Sequence, residues 1–331
     1  MEASHTTERP LRCGVLGCAD IAWRRMLPAL AAAPGVEPVA VASRDPARAE
    51  RFAAAFGCGT AGYEELLASS GIDAVYVPLP PLLHAEWVER ALRAGKHVLA
   101  EKPLTHDPEH TGHLLRLAAE RGLVLLENVA FPHHDQHASV RKMLADGVIG
   151  EVRDFAAAFT IPPLPEDNMR HRPDVSGGAL LDMGLYPVRA ALHHLGPDLR
   201  VLHAVLRLRA GTGLVVAGRI LACTAAGVTA DLSFGMEHSY RTSCEFAGST
   251  GRLTLDRAFT PPPDHRPVLR VERQDHREEI TLRADDQFAN VVRAFERAVR
   301  TGSGTGDASE SSLRLARLLA DVEQKAVLIT R

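Results

Sequence analysis

From residue 11 to about 130 the chain alternates two hydrophobic rhythms. Short apolar runs occupy 11–17, 36–43, 74–79, 97–100 and 124–127. They are continuous rather than alternating, as in strands buried on both faces of a parallel sheet. Between them, 21–33, 46–56, 84–94 and 107–121 repeat apolar residues at helical spacing, the mark of amphipathic helices. Strand and helix in turn predict an α/β domain over 11–130, with helices on both faces of one sheet.

The rhythm changes near Gly150. Residues 152–161 read as a long strand with no βαβ partner, followed by a proline-rich loop and a helix over 179–195. From 201 to 282 strand follows strand, parted by turns such as Gly211-Thr212-Gly213 and Gly248-Ser249-Thr250-Gly251. This predicts an α+β domain over 131–331 with an open, mostly antiparallel sheet. Two closing helices, 286–300 and 309–328, flank a Gly-rich linker at 301–308 and are free to pack back on the first domain. No internal repeat is visible.

Composition narrows the picture. The 331 residues suit one large or two ordinary domains, and a 46% apolar share supports a real core. A net charge of -3 offers no footprint for nucleic acid or an anionic membrane. No apolar run reaches the roughly 18–20 residues of a spanning helix. Residues 1–10 are polar and read as a disordered tail rather than a signal peptide, which makes the cytoplasm the expected address. Cys13, Cys18, Cys58, Cys223 and Cys244 contain no C-x-x-C pair, so neither a disulfide framework nor structural zinc is expected. Sixteen histidines include His133-His134, His137 and His193-His194, but they show no ligand constellation and no metal is expected.

The first chemistry lies where the first strand meets the first helix. Gly17-Cys18-Ala19-Asp20-Ile21-Ala22 is a G-x-A-x-x-A version of the dinucleotide fingerprint. Gly17 permits the tight turn, and Ala19 and Ala22 are small enough for close approach of backbone to a pyrophosphate. In its strand-turn-helix setting this predicts a Rossmann-type domain; an ordinary tight turn is the alternative. At the end of the second strand, Ser43-Arg44 stands where an NAD enzyme carries an acid. A hydroxyl and a guanidinium suit a 2'-phosphate, so NADP(H) is expected over NAD. In the competing reading Arg44 is solvated and Asp45 holds the ribose.

A second feature is Glu101-Lys102-Pro103, just past a predicted parallel strand, where ligand crevices form. Pro103 restricts Lys102 to an extended backbone. With Pro78-Leu79-Pro80 and His84, Glu127-Asn128, and Gly177-Gly178-Ala179-Leu180-Leu181-Asp182-Met183-Gly184-Leu185-Tyr186-Pro187, the chain resembles the glucose-fructose oxidoreductase / inositol dehydrogenase (Gfo/Idh/MocA) family along nearly its whole length. The resemblance implies an open-sheet second domain that often mediates dimers or tetramers. It implies that Lys102 is the active-site lysine and that Asp182 and Tyr186 face the substrate. Leu79, His84 and Glu101 are then expected at the cofactor. Many family members carry histidine where Tyr186 stands, which leaves open whether Lys102 or Tyr186 delivers the proton.

Within the family, Gly17 to Met26 resembles the 3-ketoreductases of dTDP-deoxysugar pathways of the kijanose type. The expectation is NADPH-dependent reduction of the C-3 ketone of a dTDP-linked keto-deoxysugar. The alternatives are a sugar, polyol or dihydrodiol dehydrogenase, and a non-enzymatic dinucleotide sensor. Physically, Asp182 and Tyr186 are four apart and share a helix face. Lys102 nearby is expected to lower the Tyr186 pKa toward the working range; a core aromatic is the bland alternative for Tyr186. Trp23, Arg24 and Arg25 open the first helix, and Arg25 is taken as a contact to substrate phosphate. In the loop Arg170-His171-Arg172, Arg172 is taken as a cofactor contact.

Overall fold

The computed structural model describes residues 9–303 and 306–330. Most of the expected N-terminal tail, and residues 304 and 305 of the expected linker, lie outside the described residues. Arg9 and Arg12 both pair with Asp73, at 2.7 and 3.0 Å, which ties the start of the first strand to the sheet.

The first half is a six-stranded parallel sheet: β1 (Leu11–Leu16), β2 (Val36–Ala42), β3 (Gly59–Ala61), β4 (Ala74–Val77), β5 (His97–Glu101) and β6 (Leu125–Asn128). Its order is β3-β2-β1-β4-β5-β6. The chain reverses its direction of travel between β1 and β4, where a crevice opens beyond the strands' carboxyl ends. Helices α1 (Leu27–Ala32), α2 (Pro46–Phe56), α3 (Tyr63–Ala68), α4 (His84–Arg93) and α5 (Pro108–Glu120) cover the two faces. A π-helical turn, Ala22–Met26, precedes α1. Every residue of β4 is buried, which is why that strand reads as an unbroken apolar run.

The second half holds α6 (Asp135–Ala145), β7 (Val152–Thr160), α7 (Pro173–Ser176) and α8 (Leu185–Leu195). Then come β8 (Arg200–Leu208), β9 (Val215–Cys223), β10 (Thr229–Gly235), β11 (Arg241–Gly248), β12 (Arg252–Asp256), β13 (Val268–Arg273) and β14 (His276–Thr281). The chain closes with α9 (Gln287–Thr301), α10 (Gly306–Lys325) and β15 (Ala326–Thr330). The nine strands are ordered β14-β13-β12-β11-β7-β10-β9-β8-β15. Pairing is antiparallel except β7 with β10 and β8 with β15.

Two sequence expectations change here. The final helix ends at Lys325, and Ala326–Thr330 pairs in parallel with β8. The segment Val-Leu-Ile-Thr is rich in β-branched residues, and an open sheet edge was available to take it. The strand β3 and helices α3 and α6 were not foreseen.

The helix α9 returns to the first half. Its Val291, Val292, Phe295 and Ala298 share one apolar core with Leu27, Leu30 and Phe52. Each large side chain buried there contributes about 1.5–3 kcal/mol. The helix α10 lies against α5 on one side and α8 and β8 on the other. These two helices hold the halves together along one crevice.

Candidate active site

The crevice is a cavity of about 820 Å³ between the parallel sheet and the second half. Gly17, Cys18, Ala19, Asp20 and Ile21 line one end of it. Gly17 has φ +127, a left-handed value, and a Cβ there would sit 2.9 Å from Leu79 Cδ2. Only glycine takes that turn without strain. The Gly17 amide donates to Ala42 O at 3.0 Å, so the loop is fastened to β2.

Ser43, Arg44, Asp45 and Arg48 line the same end. Asp45 caps α2 by accepting from the Arg48 amide, at 3.3 Å, and Ser43 Oγ accepts from the Asp45 amide. The Asp45 carboxylate is therefore occupied at a helix start, whereas Arg44 makes no ion pair among the described residues. A cation without a carboxylate partner beside a hydroxyl fits a phosphate monoester. Arg48, 3.7 Å from Asp20 and exposed, adds a second cation that the sequence reading missed.

At the far end, the Lys102 ammonium donates to Asp182 Oδ1 at 2.7 Å and to Asp182 O at 2.9 Å. It sits 5.1 Å from the centre of the Tyr186 ring. Asp182 Oδ2 accepts from Arg170 at 2.5 Å. Burial alone pulls the Lys102 pKa down, but the Asp182 carboxylate outweighs it and the net shift is upward. For Asp182 burial pushes up, and the two cations together hold the carboxyl well below its usual range. The trio is fully charged at neutral pH. Of the three ammonium hydrogens, Asp182 takes two and one remains for a ligand.

Tyr186 departs from expectation. Lys102 does pull its pKa down, but burial is the larger effect and the net shift is upward. The phenol keeps its proton at neutral pH, and its hydroxyl has no hydrogen-bond partner among the described residues. That is the state of a proton donor rather than a base. The ring packs against Phe159 at 4.8 Å and Phe259 at 5.6 Å.

The π-helical turn Leu180–Gly184 carries Asp182 and feeds directly into α8, which carries Tyr186. A π-turn also carries Arg24 at the other end, and such turns recur at functional sites. Gly177 and Gly178 do not line the cavity. They adopt left-handed φ values of +67 and +80, and a Cβ on Gly178 would lie 3.1 Å from Val215 O. Gly178 approaches the start of β9 and Gly177 the Leu181 side chain, not a ligand.

Other expected residues are distributed unevenly. Leu79 and Glu101 line the cavity. Glu101 is buried and accepts from Tyr76 Oη at 2.8 Å and Asn128 Nδ2 at 2.6 Å. His84 is wholly buried, its ring nitrogens each 2.7 Å from a carbonyl, of Pro103 and of Leu79. It braces the Lys102 corner, whose Lys102–Pro103 bond is cis, against the loop after β4. Arg24 lines the cavity and Arg25 does not; Arg170 lines it and the exposed Arg172 does not. Successive helical residues point about 100° apart, so neighbours in sequence face different ways. Asn128, of the Glu127-Asn128 motif, is part of the wall, and Phe159, Phe259, Gln287 and Phe288 join it without having been singled out. Among the described residues no group of His, Cys, Asp or Glu could hold a metal ion.

With this geometry in hand, the likenesses to other proteins are specific. Residues 11–129 match the family described as "Oxidoreductase family, NAD-binding Rossmann fold" (GFO_IDH_MocA), and 137–254 match the GFO/IDH/MocA C-terminal domain. The chain is 56% identical to a dTDP-3,4-didehydro-2,6-dideoxy-alpha-D-glucose 3-reductase of Actinomadura kijaniata, over 96% of each protein. It is 54% identical to the enzyme of the same name from Streptomyces antibioticus, over 97% of this chain and 95% of that one. The crystal structure of KijD10, a 3-ketoreductase from Actinomadura kijaniata in complex with NADP and TDP-benzene, superimposes with a TM-score of 0.96. It is 55% identical and covers 98% of this chain and 100% of its own.

Proposed function

The chain belongs to the GFO/IDH/MocA oxidoreductase family, and we propose that it is an NADPH-dependent reductase of the C-3 ketone of dTDP-3,4-didehydro-2,6-dideoxy-α-D-glucose, a step of deoxysugar biosynthesis. The observation that carries this reading is the Lys102–Asp182 pair, at 2.7 Å, set against a protonated Tyr186 in the cavity between the two halves. The relatives named above support the substrate and the cofactor.

The residues fit NADPH. Gly17 leaves room where a side chain would collide with Leu79, so backbone meets pyrophosphate there. Ser43, Arg44 and Arg48 hold the 2'-phosphate. Leu79 and Glu101 flank the nicotinamide end. The cofactor, when bound, supplies the hydride that ends on C-3.

The chain's own part is to manage the oxygen. Lys102 gives its remaining N–H to the C-3 oxygen, where negative charge grows as the carbonyl becomes an alkoxide. Tyr186 hands its proton to that oxygen and is reprotonated from solvent. Asp182 keeps Lys102 charged and aimed, and Arg170 completes the neutralisation of Asp182. Arg24 meets the substrate diphosphate from the π-turn.

The working form is a homodimer or homotetramer built on the open sheet. Leu221, Val327 and Ile329 are about half exposed on one face of the sheet edge formed by β9, β8 and β15, and apolar patches of this kind mark protein interfaces. No helix among the described residues is long and apolar enough to cross a membrane. Steady-state assays with dTDP-ketosugars and a panel of free sugars test the function. Turnover of the nucleotide sugar with NADPH supports it; oxidation of free sugars alone contradicts it.

A further inference from the structure

The assigned substrate carries a hazard of its own. Its C-2 is a methylene beside the C-3 ketone, so the C-2 hydrogens are acidic. Beyond it, C-1 carries dTDP, a good leaving group. Loss of a C-2 proton therefore leads to elimination. The C2–H electron pair becomes the C1=C2 double bond, the C1–O bond breaks, and dTDP departs with that pair. The proton stays on the base that took it, and the sugar is left as an enone. Reduction at C-3 closes this route, but the ketone has to sit in the cavity until hydride arrives.

The site favours both reactions. The Lys102 N–H that stabilises an alkoxide on the C-3 oxygen also stabilises an enolate there. What separates them is whether a base stands beside C-2. Among the described residues the cavity is lined by the carboxylates of Asp20, Asp45, Glu101 and Asp182 and by no histidine. Asp20 and Asp45 belong to the cofactor end, near Arg48. Glu101 Oε1 accepts from both Tyr76 and Asn128. Tyr186 keeps its proton. Asp182 stands next to the reacting carbons, because its Oδ1 lies 2.7 Å from the Lys102 nitrogen that holds the C-3 oxygen.

Arg170 covers the other oxygen of that carboxylate, its Nε donating to Asp182 Oδ2 at 2.5 Å. It is aimed by a short turn, Met169–His171, in which the Arg170 amide donates to Asn168 Oδ1 at 3.1 Å. Asn168, Met169 and Arg170 all line the cavity. Lys102 and Arg170 together hold the Asp182 carboxyl well below its usual range, and such a carboxylate is a weak base. A second cation adds nothing to the hold of Asp182 on Lys102, so its presence asks for another reason. We propose that Arg170 protects the bound substrate: by occupying Asp182 Oδ2 it keeps this carboxylate from taking the C-2 proton and expelling dTDP. Arg170 is then a positioning residue that acts through Asp182, and the inference rests on the nucleotide-sugar reading above.

The test follows dTDP release from the dTDP-ketosugar by ³¹P NMR, with full-length protein loaded with NADP⁺ so that no hydride is available. The native protein is expected to release dTDP no faster than buffer. Arg170→Met is expected to release it about 10²-fold faster, the contribution of one general base. Arg170→Lys keeps a cation on Asp182 and is expected to return release to near the native rate. The double variant Arg170→Met, Asp182→Asn is expected to do the same, because the base is gone. Slowed but measurable reduction with NADPH shows that each variant is folded and binds substrate. The inference is overturned if Arg170→Met releases dTDP at the native rate, or if the native protein releases it as fast as that variant. It is also overturned if the double variant still eliminates, since another group is then the base. Failure of the native protein to reduce the dTDP-ketosugar with NADPH overturns the nucleotide-sugar reading instead.

Discussion

The most informative perturbation is Asp182→Asn, which removes one charge and almost no volume. Lys102 keeps its bond to the backbone oxygen of residue 182, at 2.9 Å, so the ammonium stays in place. What it loses is the attraction of a carboxylate 2.7 Å away. At an effective dielectric near 20 that attraction is about 6 kcal/mol. The two side chains are 13% and 21% exposed, and screening leaves roughly half, about 3 kcal/mol. That energy is a factor of about 100 in the ratio of charged to neutral Lys102. In the native protein the Lys102 and Tyr186 pKa values are both raised, so kcat/KM should hold level from neutral to weakly basic pH. In the variant burial meets less opposition, and Lys102 loses its proton about two pH units lower than in the native protein. The expected kcat/KM profile therefore begins its fall with rising pH about two pH units earlier than the native one. The assay is NADPH oxidation across pH with the dTDP-ketosugar. A uniform drop that runs parallel to the native profile would refute the reasoning, because it would mean that Asp182 does not hold the charge on Lys102.

Other consequences follow from the same geometry. Lys102→Ala removes a donor to the developing alkoxide and should lower kcat by about 10²–10³, with the NADPH Kd, read by fluorescence titration, unchanged. Tyr186→Phe should cost about 10²–10⁴ in kcat, again without loss of cofactor affinity; a variant as fast as the native enzyme would make Lys102 the proton donor. Arg44→Ala and Arg48→Ala should each weaken NADPH by about 10- to 100-fold, one charge-assisted hydrogen bond apiece, and leave NADH binding alone. Equal losses for both cofactors would remove these arginines from the 2'-phosphate. Acid should destabilise the second half. Burial, partly offset by the bond to Ala258 O, lowers the His137 pKa from 6.5 to about 4. The unfolded chain takes a proton as pH falls through 6.5 and the folded one does not until about 4, so stability is full above 6.5 and is lost between those values. The loss from His137 is about 3 kcal/mol, measurable as a falling urea midpoint. A midpoint that stays level between pH 7 and 4.5 would contradict it.

How much was legible beforehand depended on burial and on distance along the chain. The strands β1, β2, β4, β5 and β6 announce themselves because apolar residues dominate them, and β4, buried at every residue, is an unbroken apolar run. The strand β3 is three residues long and largely exposed, so Gly59-Thr60-Ala61 carries no such signal. The strand β15 hid inside a helical pattern, because its apolar residues continue the rhythm of α10. Lys102, Asp182 and Tyr186 were legible since each sits in a short local motif. Arg24 and Arg170 were passed over for their neighbours Arg25 and Arg172 because side-chain direction in a turn is not a sequence property. Phe259 and Gln287 were invisible for a different reason. Gln287 is placed because α9 folds back onto the core of Leu27, Leu30 and Phe52, a contact between segments more than two hundred residues apart, and Phe259 because the segment after β12 packs on Tyr186.

The central claim is that the cavity delivers a hydride from NADPH to one carbon of one sugar. Incubation with NADPH deuterated at nicotinamide C-4, on the transferred face, and dTDP-3,4-didehydro-2,6-dideoxy-α-D-glucose tests it in a single NMR spectrum. The prediction is a new hydroxyl-bearing carbon at C-3 that carries deuterium, with C-4 still a ketone. Deuterium at C-4, or NADPH left unoxidised in the presence of the nucleotide sugar, would contradict it.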